Sequence, residues 1–276
     1  MHNALPEAGI RNRAPKEIEV VVLDFDGTIM VYDGSPGHFH PEVIRLLNDL
    51  QDRGIFWVAN SGRDLEDQKL VLERSRERGL LHEPDAVIAS ESLVYLRDGR
   101  EFIPLEAWNA LALKGLRTLH KVVQEELEPY RKHIEEIYTP HLILWEEYAT
   151  AFLVDNREEK PRELFHDLMD WLKEIPTAML SMNGGWVAVM LRGLGKGNAL
   201  RAWAEVCDLS PRSLLAIGDH FNDLTMLGGR VAHYVGCPGD AIPEVRQTVA
   251  RHGGWVAEQP GPLGTVEVIR RALNLG

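Results

Sequence analysis

The sequence predicts an α/β protein whose parallel sheet carries helices on both faces and is interrupted by an α+β insertion. Three observations carry this. Residues 18–90 alternate short β-branched runs with amphipathic stretches. The same alternation resumes after Lys196. The residues between follow another order, rich in hairpin signals that simple βα repeats lack.

The first run, IEVVVL at Ile18–Leu23, ends at an acidic loop and reads as a buried strand. Pro41 opens a helix with apolar residues at 43, 44, 46, 47 and 50, and Gly54 closes it. IFWVA (Ile55–Ala59) is the next strand, DLEDQKLVLERSRERG the next helix, and DAVIAS (Asp85–Ser90) the third strand. In the middle of the chain, LVYLRDGREFIP reads as a hairpin turning at Asp98-Gly99. A helix over Ala107–Leu127 follows, then strands HLILWEE and TAFLVD and a helix opened by Pro161. TAMLSM and GWVAVML flank Asn183-Gly184-Gly185, a second hairpin signal. After Lys196 come a helix (GNALRAWAEVC), a strand (SLLAIGD), a helix from NDLTMLGG, a short strand (HYVGC), a helix (IPEVRQTV), a last strand (GWVAE) and a closing helix. The expected organisation is a lead-in over 1–17, a core made of 18–90 and 191–276, and an inserted module over 91–190.

Composition sets limits. A chain of 276 residues with 45% hydrophobic and 26% charged residues suits one or two globular domains. The net charge of −12 argues against a general nucleic-acid or membrane-surface binder, which needs a basic face. A small anionic substrate needs only a local basic pocket. Two cysteines, Cys207 and Cys237, make neither a disulfide framework nor a zinc cluster, so reduced thiols in a cytoplasmic protein are expected. No apolar run is long enough for a membrane span, and the N-terminal stretch lacks an apolar signal core.

The sharpest chemical signal is LDFDGT at 23–28. Ligand sites of open α/β sheets lie beyond the carboxyl ends of the strands, and Asp24 and Asp26 follow such an end directly. Two close carboxylates repel unless a proton or cation is shared, and a hard oxygen-liganded ion such as Mg²⁺ relieves this. A DxD pair alone also suits an ordinary turn. Three further stretches share the topological position. Asn60-Ser61-Gly62-Arg63 offers a hydroxyl and backbone N–H groups to a phosphate. Lys196 in GLGKGNAL offers a point positive charge. Asp219, Asn222 and Asp223 in GDHFND bring two more carboxylates and an amide.

These four stretches together resemble the haloacid dehalogenase-type phosphohydrolases. Val21–Thr28 matches the motif hhhDxDGT, Ser61 the second-motif hydroxyl, Lys196 the third-motif lysine, and Gly218–Asp223 the motif GDxxND. The insertion before Lys196 resembles the large α/β cap of the Cof-like and sucrose-phosphatase-like branch. The resemblance implies a three-layer Rossmann-like core with a substrate-selecting cap. It implies Asp24 as nucleophile through an aspartyl-phosphate, Asp26 as general acid and base, and Ser61 and Lys196 as catalytic phosphate holders. Gly62 and Asn222 would join them at the phosphate, with Asn222 orienting Lys196 or Asp219. Mg²⁺ would be held by Asp24, the backbone carbonyl of Asp26, Asp219 and Asp223. An acid at Asp26 favours phosphate monoesters over the family's pumps and phosphonate hydrolases.

For the substrate, SESLVYLRDGREFIP departs from the Asn-Gly-Ala that often opens a Cof-like cap, while LEAWNALALKG resembles the sucrose-phosphatase branch. A small sugar phosphate is the expectation, with Asn183, Gly184, Tyr95 and Arg63 as candidate specificity residues. The alternatives are a phosphatase for a non-sugar metabolite and a phosphohexomutase of the phosphomannomutase type. The mutase would need a second basic cluster, for which Arg97, Arg100, Lys114, Arg117, Lys121, Arg131 and Lys132 are available. His38 and His40 read as surface residues of a loop, and the partner state as monomer or homodimer.

Overall fold

In a computed structural model the described residues are 18–155, 157 and 159–275. The expected lead-in over 1–17 lies outside them. The described residues divide into two compact units: those of 18–105, 196–219 and 223–275, and those of 106–195 with 220–222.

The elements of the first unit up to that division are β1 (Val20–Leu23), β2 (Met30–Val31), β3 (His38–Phe39), α1 (Pro41–Asp52), β4 (Phe56–Asn60), α2 (Leu65–Glu77), β5 (Ala86–Ala89), β6 (Leu93–Asp98) and β7 (Glu101–Pro104). The second unit follows with α3 (Glu106–Leu127), α4 (Arg131–Tyr138), β8 (Leu142–Glu146), β9 (Ala149–Leu153), α5 (Lys160–Trp171), β10 (Ala178–Asn183) and β11 (Trp186–Leu191). The first unit then resumes with α6 (Lys196–Val206), β12 (Leu214–Ile217), α7 (Leu224–Leu227), β13 (Tyr234–Cys237), α8 (Pro243–Arg251), β14 (Trp255–Val256) and α9 (Gly261–Ala272).

The first unit is built on an eight-stranded sheet of order β14-β13-β12-β1-β4-β5-β6-β7. The six strands from β14 to β5 run parallel, and β6 and β7 are antiparallel additions. All four residues of β1 are buried, as a strand covered on both faces requires. Val21 and Leu23 join a cluster with Val43 and Leu47 of α1, Val71 and Leu72 of α2, and Val266 and Ile269 of α9. The opposite face of the sheet touches α6, α7 and α8. This is the three-layer α/β core that the sequence predicts.

Register decides where the motifs meet. Leu23 of β1 pairs with Ile217 of β12 on one side and Ala59 of β4 on the other. Asp24, Asn60-Ser61 and Gly218-Asp219 therefore leave the sheet at one edge, the carboxyl end of its central strands.

Two expectations need correction. The insertion was expected to open at 91, but the hairpin β6–β7 extends the large sheet, and the division falls after Leu105. Val94 is fully buried and Phe102 nearly so, which ties this hairpin to the core. His38 is buried, with its Nε2 3.2 Å from the Asp33 carboxylate, rather than lying on the surface. His40 caps α1 through its ring, which accepts from the Glu42 N–H.

The second unit is a four-stranded antiparallel sheet of order β10-β11-β9-β8. Leu119, Val123 and Leu127 of α3 and Leu164 and Leu168 of α5 pack with Phe152, Val187 and Val189 of the strands. Asn183 pairs with Trp186 across the expected hairpin, and Gly184 takes a left-handed φ of 53° at its turn. Among the described residues no helix is long and apolar enough to cross a membrane.

Candidate active site

The backbone holds three carboxylates and one ammonium together at the sheet edge. Asp24 leaves β1 with its N–H bonded to the Ile217 carbonyl (3.1 Å), which fixes it beside β12. Lys196 begins α6 and is fully buried. Its Nζ lies 2.6 Å from Asp24 Oδ1 and 2.6 Å from Asp223 Oδ1. The buried Asn60 amide donates to the Lys196 carbonyl at 3.2 Å, pinning the helix start to β4. Asp223 Oδ2 accepts from the Asp219 N–H (2.9 Å), and Asp219 Oδ1 accepts from the Thr28 hydroxyl (3.0 Å).

Two glycines permit this density. A Cβ on Gly27, whose φ is 77°, would lie 2.2 Å from Asp219 Oδ2. A Cβ on Gly218 would lie 2.3 Å from the Asp223 carboxyl carbon. Either side chain would displace a carboxylate.

The electrostatics follow from burial. Burial pushes the Asp24 carboxyl well above its usual range, and Asp223 and Asp219 add to the rise while Lys196 opposes it. Burial, with help from Asp223, pushes Asp219 up to about 7. Burial works against the Lys196 ammonium too, but Asp223 and Asp24 outweigh it and hold its pKa above the ordinary lysine value. One cation among three acids leaves an excess of acid groups that a proton or a further cation must share.

That excess fits a second cation. Carboxylate oxygens of Asp24, Asp219 and Asp223 lie within 4.8 Å of one another. Asp24 Oδ2 is buried without a hydrogen-bond partner among the described residues, the kind of orphan that a bound ion satisfies. An all-oxygen donor set suits a hard divalent ion.

Asp26 stands apart from this cluster in its side chain. Its carboxylate is gripped by the Arg63 guanidinium, Nε to Oδ2 at 2.9 Å and Nη2 to Oδ1 at 2.8 Å. The Tyr32 hydroxyl also donates to Asp26 Oδ1. The Asp26 carboxylate is thus engaged by Arg63 and Tyr32 rather than by the acidic cluster.

The other expected residues are distributed as follows. Ser61 is buried one residue beyond β4, and its hydroxyl accepts from the Arg63 N–H (3.3 Å). Gly62 is exposed beside it. Asn222 is buried in the turn between Asp219 and Asp223. Tyr95 packs on the hydrophobic cluster of the first unit from β6. Arg63 points to Asp26, as above. In the second unit, the Gly184 N–H donates to His220 Nε2 (3.3 Å) and His220 Nδ1 lies 2.9 Å from the Met182 carbonyl. A backbone N–H facing Nε2 and a carbonyl facing Nδ1 suit a ring with its proton on Nδ1.

Sequence reasoning did not select Asn60 or Tyr32. Asn60 had a signal, an amide ending a buried strand next to Ser61. Tyr32 had none, because its loop carries no motif.

Comparison with known proteins bears on this arrangement. The chain is 24% identical over 255 residues to YxeH of Bacillus subtilis (strain 168), a protein whose name places it among phosphatases, covering 82% of this chain and 89% of that one. It is 38% identical over 88 residues to the phosphoglycolate phosphatase of Aeropyrum pernix, covering 32% and 29% of the two chains. In structure it resembles the sucrose-phosphatase of Synechocystis sp. PCC6803 in complex with sucrose and phosphate, with a TM-score of 0.71 at 18% identity over 95% of this chain and 100% of that one. The family profile described as haloacid dehalogenase-like hydrolase matches residues 85–251, more than half of the sequence. The chain thus belongs to the haloacid dehalogenase-like hydrolases.

Proposed function

We propose that this hydrolase is a Mg²⁺-dependent phosphatase that cleaves a small phosphate monoester, a sugar phosphate, in the cytoplasm. The observation that carries the reading is the Lys196 ammonium held 2.6 Å from both Asp24 and Asp223, with Asp219 completing an acidic triad. It supplies a carboxylate nucleophile, a fixed positive charge for phosphoryl oxygens and a cation site in one buried place. Phosphatase names among its relatives support the class.

In this reading an oxygen of Asp24 attacks phosphorus, and the bond from phosphorus to the substrate oxygen breaks. Asp26 delivers a proton to that leaving oxygen. Water then attacks the phosphorus of the aspartyl-phosphate, gives a proton back to Asp26, and free phosphate and Asp24 are restored. Lys196, with the Ser61 hydroxyl and the Gly62 N–H, holds the phosphoryl oxygens as their charge shifts, and Asn222 orients the acidic loop. Mg²⁺, held by Asp24, Asp219, Asp223 and the Asp26 carbonyl, would supply neutralisation of the phosphate charge facing the Asp24 carboxylate.

The sugar assignment is supported by the likeness to a phosphatase bound to sucrose and phosphate. The mutase alternative gains no support. Arg97, Arg117, Arg131 and Lys132, four of the cations available for a second phosphate, each face a carboxylate instead. Phosphate release over a panel of hexose phosphates, sucrose 6-phosphate, phosphoglycolate and flavin mononucleotide, with Mg²⁺ and with EDTA, tests the reading. Mg²⁺-dependent release led by a sugar phosphate is expected. Leading release from phosphoglycolate overturns the sugar assignment, and no release from any ester overturns the phosphatase.

A further inference from the structure

The grip on Asp26 is more elaborate than a surface ion pair. Arg63 makes two parallel hydrogen bonds to both carboxylate oxygens. Its Nη2 also donates to the Tyr32 oxygen at 3.1 Å, while the Tyr32 hydroxyl donates to Asp26 Oδ1. The three side chains close a ring of hydrogen bonds around the carboxylate.

The backbone of Arg63 is held as firmly. Its N–H donates to the Ser61 hydroxyl at 3.3 Å. Its carbonyl accepts from the Ser90 N–H (2.8 Å) and from the buried Gln68 amide (3.0 Å). Ser90 and its neighbour Glu91 both sit in the left-handed region, with φ of 48° and 59°. That conformation is costly for two consecutive non-glycine residues. The turn is bonded to the Ser61–Arg63 loop at both residues, because the Glu91 N–H donates to the Ser61 carbonyl at 3.0 Å. A strained turn therefore braces the loop that carries the guanidinium. An exposed ion pair needs no such brace and contributes little to stability.

We propose that Arg63 and Tyr32 are positioning residues that fix the Asp26 carboxylate for proton transfer to the leaving oxygen. This rests on the reading of Asp26 as the proton donor given above. Arg63 is thereby not a reader of the substrate's organic part, as the sequence suggested. It sets the plane and position of the acid, and Tyr32 sets which oxygen carries the extra hydrogen bond. Proton transfer is sensitive to placement at the ångström scale, so loss of the ring slows chemistry rather than binding.

The leaving group supplies the test. A p-nitrophenolate departs without a proton, whereas an alkoxide needs one. Steady-state kinetics on p-nitrophenyl phosphate and on an alkyl phosphate such as glycerol 2-phosphate are compared for the parent, Asp26→Asn, Arg63→Ala, Arg63→Lys and Tyr32→Phe. The expected kcat loss for Arg63→Ala on the alkyl ester is about 100-fold, exceeding that on the aryl ester by about tenfold or more, with KM little changed. Arg63→Lys recovers part of the loss, since it restores charge without the fork. Tyr32→Phe shows the same bias at smaller size. Tyr32 is 59% exposed, so that variant does not threaten folding. If Asp26→Asn is biased against the alkyl ester but Arg63→Lys and Tyr32→Phe lose equally on both esters, or change only KM, the positioning role is overturned while the mechanism stands. If Asp26→Asn itself shows no leaving-group bias, the proton-donor reading fails and this proposal falls with it.

Discussion

Lys196 Nζ lies 2.6 Å from Asp24 Oδ1, with both side chains essentially sealed from solvent. The pair joins the first residue of α6 to the residue that follows β1, 172 positions apart in sequence. Removing the ammonium leaves Asp24 and Asp223 buried against each other. Lys196→Met is therefore expected to cost about 3–5 kcal/mol of stability, as breaking a buried ion pair does. It is also expected to lower phosphate release by about 10²–10³-fold, the size of losing one fixed anion-stabilising group. Urea melts and phosphate assays on the same preparation check both numbers.

Cation binding should depend on pH through Asp219. Its folded pKa, pushed up to about 7, exceeds the ordinary carboxyl value of 3.8. Between those values the folded chain holds a proton that the unfolded chain does not. This group therefore makes the metal-free protein less stable as pH rises from about 4 to about 7. Mg²⁺ competes for the same oxygens, so its stabilising effect grows over that window. The rise in melting temperature on adding Mg²⁺ is expected to be larger at pH 8 than at pH 5. An equal rise at both would contradict a cation site that includes Asp219.

The second unit carries a titration of the opposite sign. His120 of α3 is buried, with Nδ1 3.2 Å from the Thr150 hydroxyl of β9. Burial lowers its pKa from 6.5 to about 4. The unfolded chain binds the extra proton between these values, so this group's contribution is present above pH 6.5 and is lost as pH falls toward 4. Chemical denaturation of the parent and of His120→Leu at several pH values isolates the effect. The stability difference between the two should change across pH 4 to 6.5 and be flat above it.

Much of the core was legible because its determinants are local. The strands β1, β4 and β12 are short apolar runs buried on both faces, and each ends directly at a polar loop. Once those strands are parallel neighbours, Asp24, Ser61 and Asp219 must share an edge. The limit of the insertion was not local. The hairpin turning at Asp98-Gly99 reads the same whichever sheet it joins, and only the pairing of Val87 with Tyr95 decides. That same pairing sets Tyr95 against the hydrophobic cluster of the first unit. Arg63 was singled out by position, but its partner Asp26 is 37 residues away and nothing in the spacing names it. Tyr32 sits in an irregular loop, where neither period nor motif marks a side chain that reaches Asp26.

The proposed mechanism turns on Asp24 as the nucleophile. The measurement that tests it most directly is phosphate release by the parent and by Asp24→Asn, matched for concentration and for circular dichroism, in saturating Mg²⁺ with the best ester of the panel. Asp24→Asn is expected to keep the fold and lose turnover. Comparable release from the two proteins would contradict it.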